Sequence, residues 1–152
     1  MEQEQLTIFI QSMIDYFNKI ADSPIDVGVP FLKKAGQNIL LHYTGAIGIS
    51  GKMRGAIYIT ADEDFLYELL KKIMPGIKKE KGHLSSMVGE LANTIAGNAQ
   101  KTLGKEFLIS IPMILTNPGE AKESTFELQA PTFIIPFKWL DYQAFLAVGL
   151  SK

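Results

Sequence analysis

Ser86, Glu90, Asn93 and Gly97 are separated by four, three and four residues. On a helix turning roughly 100° per residue, that spacing holds them within about 60° of arc. Such a stripe presents a carboxylate, a carboxamide that both donates and accepts hydrogen bonds, and a position with no side chain. Gly97 costs a helix interior about 1 kcal/mol relative to Ala, and Gly89 adds a second such cost. A bare glycine among polar groups lets another surface approach the backbone closely. Two readings remain open from spacing alone: a solvated polar face, or a surface on which another molecule docks.

A helix spanning residues 84–103 positions the stripe. Leu84, Val88, Leu91, Ala92, Ile95, Ala99 and Leu103 fall on its opposite side, and Gly104 stands where helices commonly end. Ahead of it, Leu6, Phe9, Ile10, Met13, Phe17 and Ile20 mark an amphipathic N-terminal helix stopped by Asp22-Ser23-Pro24. A second helix is predicted over 62–74, closed by Pro75-Gly76, with a polar connector at 78–82. Strands are predicted over 26–32, 39–49, 55–60, 106–115, 124–137 and 143–150. Turns are expected at 50–54 and at Asn117-Pro118-Gly119. Gly45 and Gly48 inside a strand signal a bulge or close packing, and Pro131 and Pro136 make their strand irregular or an edge. Helices and antiparallel hairpins without a βαβ rhythm give an α+β fold, with helices covering a largely antiparallel sheet. Asp15 and Asn18 partly echo the acid–amide spacing, but Asp22 stands where a glycine would complete it, so this pair is read as structural.

At 152 residues the chain is long enough for one domain, spanning 1–152, with a substantial core. Fifteen basic and sixteen acidic residues leave a net charge of −1, and no basic block exceeds Lys78-Lys79-Glu80-Lys81, which argues against nucleic acid. The absence of cysteine removes disulfides, thiolate zinc sites and a cysteine nucleophile, as is compatible with the cytoplasm. Met1-Glu2-Gln3-Glu4 lacks the pattern of a secretory signal, and no apolar run is long enough to span a bilayer.

His42 and His83 are the only histidines, and neither has a neighbour at metal-ligand spacing, so no metal is expected. Walker, dinucleotide and Gly-x-Ser-x-Gly motifs are absent. No motif in the sequence marks a self-contained active site. Catalysis by this chain would complete a site on another molecule.

The pattern Ser86-x-x-x-Glu90-x-x-Asn93-x-x-x-Gly97 resembles the signature of the CheC/CheX/FliY phosphatases of bacterial chemotaxis. Leu91-Ala92-Asn93-Thr94-Ile95-Ala96-Gly97-Asn98-Ala99 is similar to the CheX branch in particular. So are the hairpin around Thr44–Gly51 and Gly55–Ile59, the stretch Phe107-Leu108-Ile109-Ser110-Ile111-Pro112, and the closing segments Ile135-Pro136-Phe137 and Phe145–Leu150. The likeness runs from about Phe31 onward. It departs at Ser86, where CheX-like sequences often carry Asp, and at Thr94, which replaces the usual Met. A single complete motif matches CheX, whereas CheC-like members carry two.

The resemblance implies a CheC/CheX-like fold and hydrolysis of the aspartyl phosphate on a CheY-type response regulator. That regulator would hold its own Mg²⁺ and lysine, this chain binding no cofactor or metal. Asn93 would enter the regulator's site and orient a water in line with phosphorus, and Glu90 would pair with the regulator's lysine. Ser86 and Gly97 would complete the partner contact. CheX-like relatives pair as homodimers, so a cytoplasmic homodimer is the expectation. The alternative is a non-catalytic module that binds a regulator through the same face. A remoter reading is a stand-alone hydrolase using Glu90 with another acid.

Overall fold

The structure, a computed structural model, describes residues 3–116 and 131–152. In chain order they form α1 (Gln3–Tyr16), a π-helical turn (Phe17–Ala21), β1 (Ile25–Val27), β2 (Phe31–Leu32), β3 (Tyr43–Gly51), β4 (Arg54–Ala61), α2 (Glu63–Ile73), α3 (Lys81–Leu103), β5 (Phe107–Ile109), β6 (Met113–Thr116), β7 (Thr132–Trp139) and β8 (Tyr142–Ser151). Among these residues eight strands make one sheet in the order β1-β7-β8-β4-β3-β5, with β2 also on β7 and β6 also on β3. Every pairing is antiparallel. The fold is α+β.

Alternation along the strands sends Ile47, Ile57, Ile59, Ile135, Leu146 and Val148 to one face, where they form the main core with Phe9, Met13, Phe65, Leu91 and Ile95 from the three helices. On the other face Ala46, Tyr58, Ile134 and Ala147 are covered by Ile39 and Leu40. The strand predicted over 39–49 therefore begins only at Tyr43. The four residues before it cross the second face, tied down where Leu41 N–H donates to Thr60 Oγ1 at 2.7 Å.

The segment predicted as one strand over 106–115 is two. Its partner changes register, so residues 110–112 oppose only Ile47 and Gly48 of β3. Ser110 fills that bulge, accepting at Oγ from Gly48 N–H (2.8 Å) and donating its own N–H to Gly48 O (2.9 Å). The strand predicted over 26–32 is likewise two short edge strands parted by 28–30. Pro136 faces this break: Gly28 N–H donates to Pro136 O at 2.7 Å, while the missing N–H of the proline looks into the gap between β1 and β2. β7 is consequently an interior strand, not an edge. The strand predicted over 124–137 starts at Thr132 within the described residues; its earlier part and the Asn117-Pro118-Gly119 turn lie outside them.

Helix α3 starts within the predicted connector, at Lys81, and ends where Gly104 N–H donates to Gln100 O at 2.8 Å. The remaining connector is fixed by Lys79, whose Nζ lies 2.9 Å from Asp64 Oδ1 and 3.6 Å from Glu63 Oε1. Tyr67 donates to Ile77 O at 3.2 Å.

Candidate functional site

The inward face of α3 is wider than its periodicity implied. Met87, Gly89 and Ala96 are buried beside Leu84, Val88, Leu91, Ala92, Ile95 and Ala99, and Leu103 is half-buried. Two glycines allow the helix to lie this low. A Cβ at Gly45 of β3 would stand 2.6 Å from the Val88 carbonyl oxygen, and one at Gly89 would stand 2.5 Å from Ile114 Cδ1 of β6. The helix thus meets the sheet by backbone contact, and its rotation is set by the sheet beneath.

That rotation turns Ser86, Glu90 and Asn93 outward, all exposed, with Gly97 half-buried one turn beyond Asn93. A Cβ built on Gly97 meets nothing within 4 Å. Nothing in the described chain requires a glycine there, in contrast to Gly45, where the obstacle is backbone.

An open groove of about 470 Å³ runs along one flank of the stripe. Asp15, Tyr16, Lys19 and Ile20 line it from α1 and the π-helical turn, Ile73 from α2, and Glu90, Thr94 and Asn98 from α3. The five-residue π turn at the end of α1 leaves Lys19 and Ile20 exposed while Phe17 and Ala21 stay buried. Burial, then the negative charge of Glu90, pushes the Tyr16 phenol from its ordinary 10.0 up to about 12. Tyr16 is therefore a neutral O–H group at neutral pH. The sequence treated the α1 residues as core or structural. Asp15 and Tyr16 lie 75 and 74 positions before Glu90, and no local pattern brings them beside it.

Neither histidine joins the stripe's acid–amide pair. His42 Nδ1 lies 3.2 Å from Asp62 Oδ1 at the start of α2. His83 donates from Nδ1 to Lys78 O at 2.9 Å. Among the described residues no group of three or more His, Cys, Asp or Glu side chains could hold a metal ion. No helix among them is long and apolar enough to cross a membrane.

A family model described as chemotaxis phosphatase CheX matches residues 43–138, from the start of β3 through α3 into β7. The chain belongs to the CheX family. Solved structures share the fold of this CheX-family chain at low identity. A CheC-like superfamily protein from Shewanella sp. PV-4 is 24% identical with a TM-score of 0.84, covering 100% of both chains. Chemotaxis protein CheX from Vibrio vulnificus is 22% identical with a TM-score of 0.83, covering 97% of this chain and 99% of its own. The CheX–CheY–BeF3–Mg²⁺ complex from Borrelia burgdorferi includes a chain 21% identical with a TM-score of 0.76, covering 97% of each. No curated protein sequence gives a significant match.

Proposed function

We propose that this chain hydrolyses the aspartyl phosphate of a CheY-type response regulator, with Asn93 and Glu90 as its catalytic residues. The carrying observation is an exposed amide and an exposed acid one turn apart on a helix whose rotation the sheet fixes, beside a glycine with open space above it. Family membership supports the reaction class. The Borrelia CheX solved with CheY supports the class of partner.

The Asn93 amide accepts one hydrogen of a water and donates to an oxygen nearby, which holds the water's lone pair in line with phosphorus without removing its proton. Water adds to phosphorus, the bond between phosphorus and the aspartyl oxygen breaks, and the regulator's carboxylate leaves with the bonding pair. The water's proton ends on inorganic phosphate. Glu90 pairs with the regulator's lysine and sets the docking register; Ser86 and Gly97 complete the contact. Mg²⁺ belongs to the regulator, where it offsets charge on the transferring group. We further propose that residues 1–152 form one domain acting as a cytoplasmic homodimer, which light scattering at micromolar concentration would test.

The test is decay of a phosphorylated regulator across a range of regulator concentrations. Asn93→Ala should lower turnover at saturation by about 10²–10³-fold, the loss typical of a preorganised hydrogen-bonding group at a reacting centre, while KM changes little. Glu90→Ala should raise KM as well. Near-parental turnover with Asn93→Ala would remove the water-positioning role, whereas a parent protein that leaves the decay rate unchanged or slows it would leave a regulator-binding module.

A further inference from the structure

We propose that Tyr16 is a positioning residue for Glu90: its phenol, fixed at the end of α1, holds the Glu90 carboxylate in the orientation that meets the partner. The inference rests on the reading of Glu90 as a contact residue and extends the working surface from α3 to a second helix.

Glu90 needs such support. A glutamate on an exposed helix face has several rotatable bonds, and fixing a long side chain costs rotamer freedom when it docks. A neighbour that narrows those rotamers beforehand removes part of that cost. Tyr16 lines the same groove as Glu90 and is only 5% exposed. Its ring is immobilised: it meets Phe17 edge-on with centroids 5.3 Å apart. Phe17 in turn packs at 5.9, 5.8 and 5.9 Å against Phe65, Phe137 and Trp139 of the core. The phenol is thus carried on a rigid aromatic stack, whereas Lys19 and Asp15 reach the groove as exposed side chains.

The chemistry is matched as well. The phenol stays protonated well above neutral pH, and the charge of Glu90 contributes to this. No direct hydrogen bond joins the two side chains, so the O–H reaches the carboxylate through a bridging water, which the groove has room to admit. Asp15 and Lys19, the other charged groups lining the groove, bring one charge of each sign. Both are exposed, whereas the Tyr16 phenol is held in place by its buried ring.

The test is Tyr16→Phe, which keeps the ring packing and removes only the O–H. Alone it should raise KM for the phosphorylated regulator about tenfold, the scale of one hydrogen bond to a charged group, and change kcat less than twofold. Combined with Glu90→Gln it should add nothing, because the group it positions is already disabled. A third readout needs no partner: in ¹³C-tyrosine-labelled protein, Glu90→Gln should lower the Tyr16 titration from about 12 by the smaller part of its rise, burial keeping the larger part. A parental KM for Tyr16→Phe, full additivity with Glu90→Gln, or an unmoved Tyr16 titration would each overturn the proposal. Should Glu90→Gln itself leave turnover and KM at parental values, the docking role of Glu90 fails first. The titration would then report separately on whether the two groups are coupled.

Discussion

A methyl group at Gly97 would project into open space, whereas one at Gly45 would strike a backbone oxygen at 2.6 Å. For Gly97, helix energetics and function should therefore oppose one another. Gly97→Ala should stabilise the isolated protein by about 0.5–1 kcal/mol, a rise in Tm of roughly 1–4 °C, since no contact is lost and backbone freedom in the unfolded chain falls. Gly97→Trp, whose side chain occupies the open space, should raise KM for the phosphorylated regulator at least about tenfold without unfolding the protein. A parental KM for the Trp variant would place Gly97 outside the contact surface. The stripe itself was legible in the sequence, because four residues at helical spacing define a face without reference to anything distant. The reasons for its glycines were not: Gly89 and Gly97 look alike on one helix, and only the sheet beneath distinguishes the one pressed against Ile114 from the one left open.

Among elements, α3 carries the stripe to which the proposal assigns the function, and β3 sets its height. Gly45→Ala would press a methyl group on the Val88 carbonyl oxygen, which is backbone and has no rotamer to swing away. The helix must lift from β3. The variant should lose about 1–3 kcal/mol of stability, seen as a Tm lower by several degrees, and dephosphorylation should weaken although no contact residue has changed. An unchanged Tm would mean that the helix does not rest on this strand as described. Helices were the readable elements: their apolar period reports burial on one side, and α1, α2 and α3 stand close to where that period puts them. Strand limits were less readable where the chain departs from simple alternation. The apolar residues Ile39 and Leu40 pack across a sheet face rather than within a strand, and Ser110 absorbs an extra residue between β5 and β6 through side-chain bonds that no hydropathy pattern encodes. Pro136 reads as an edge residue by its missing donor, yet it sits inside the sheet because its neighbour is broken at the same level.

At the scale of the whole molecule, the strand order places β8 and β4 at the centre and leaves α3 across β3, with its polar stripe facing away from the sheet. Sheet order depends on pairings across long stretches of chain, such as Ile57 with Val148, and a single sequence does not specify them. The proposed function implies a division of labour in which this chain contributes an amide and an acid, while the metal belongs to the partner. Mg²⁺ takes oxygen donors in near-octahedral geometry and retains several waters, so holding it tightly requires converging carboxylates. The described residues contain no group of three or more candidate ligands, and Asp15 and Glu90 share their groove with the cationic Lys19. Titrating millimolar Mg²⁺ into the isolated protein should therefore produce no saturable heat, and EDTA should leave its Tm unchanged. In the complete reaction, the Mg²⁺ concentration giving half-maximal dephosphorylation should equal that for Mg²⁺ binding to the regulator alone, and it should be the same for the parent and for Glu90→Gln. Stoichiometric binding of Mg²⁺ to the isolated chain, or a half-maximal concentration that moves with Glu90→Gln, would show that this protein supplies metal ligands of its own.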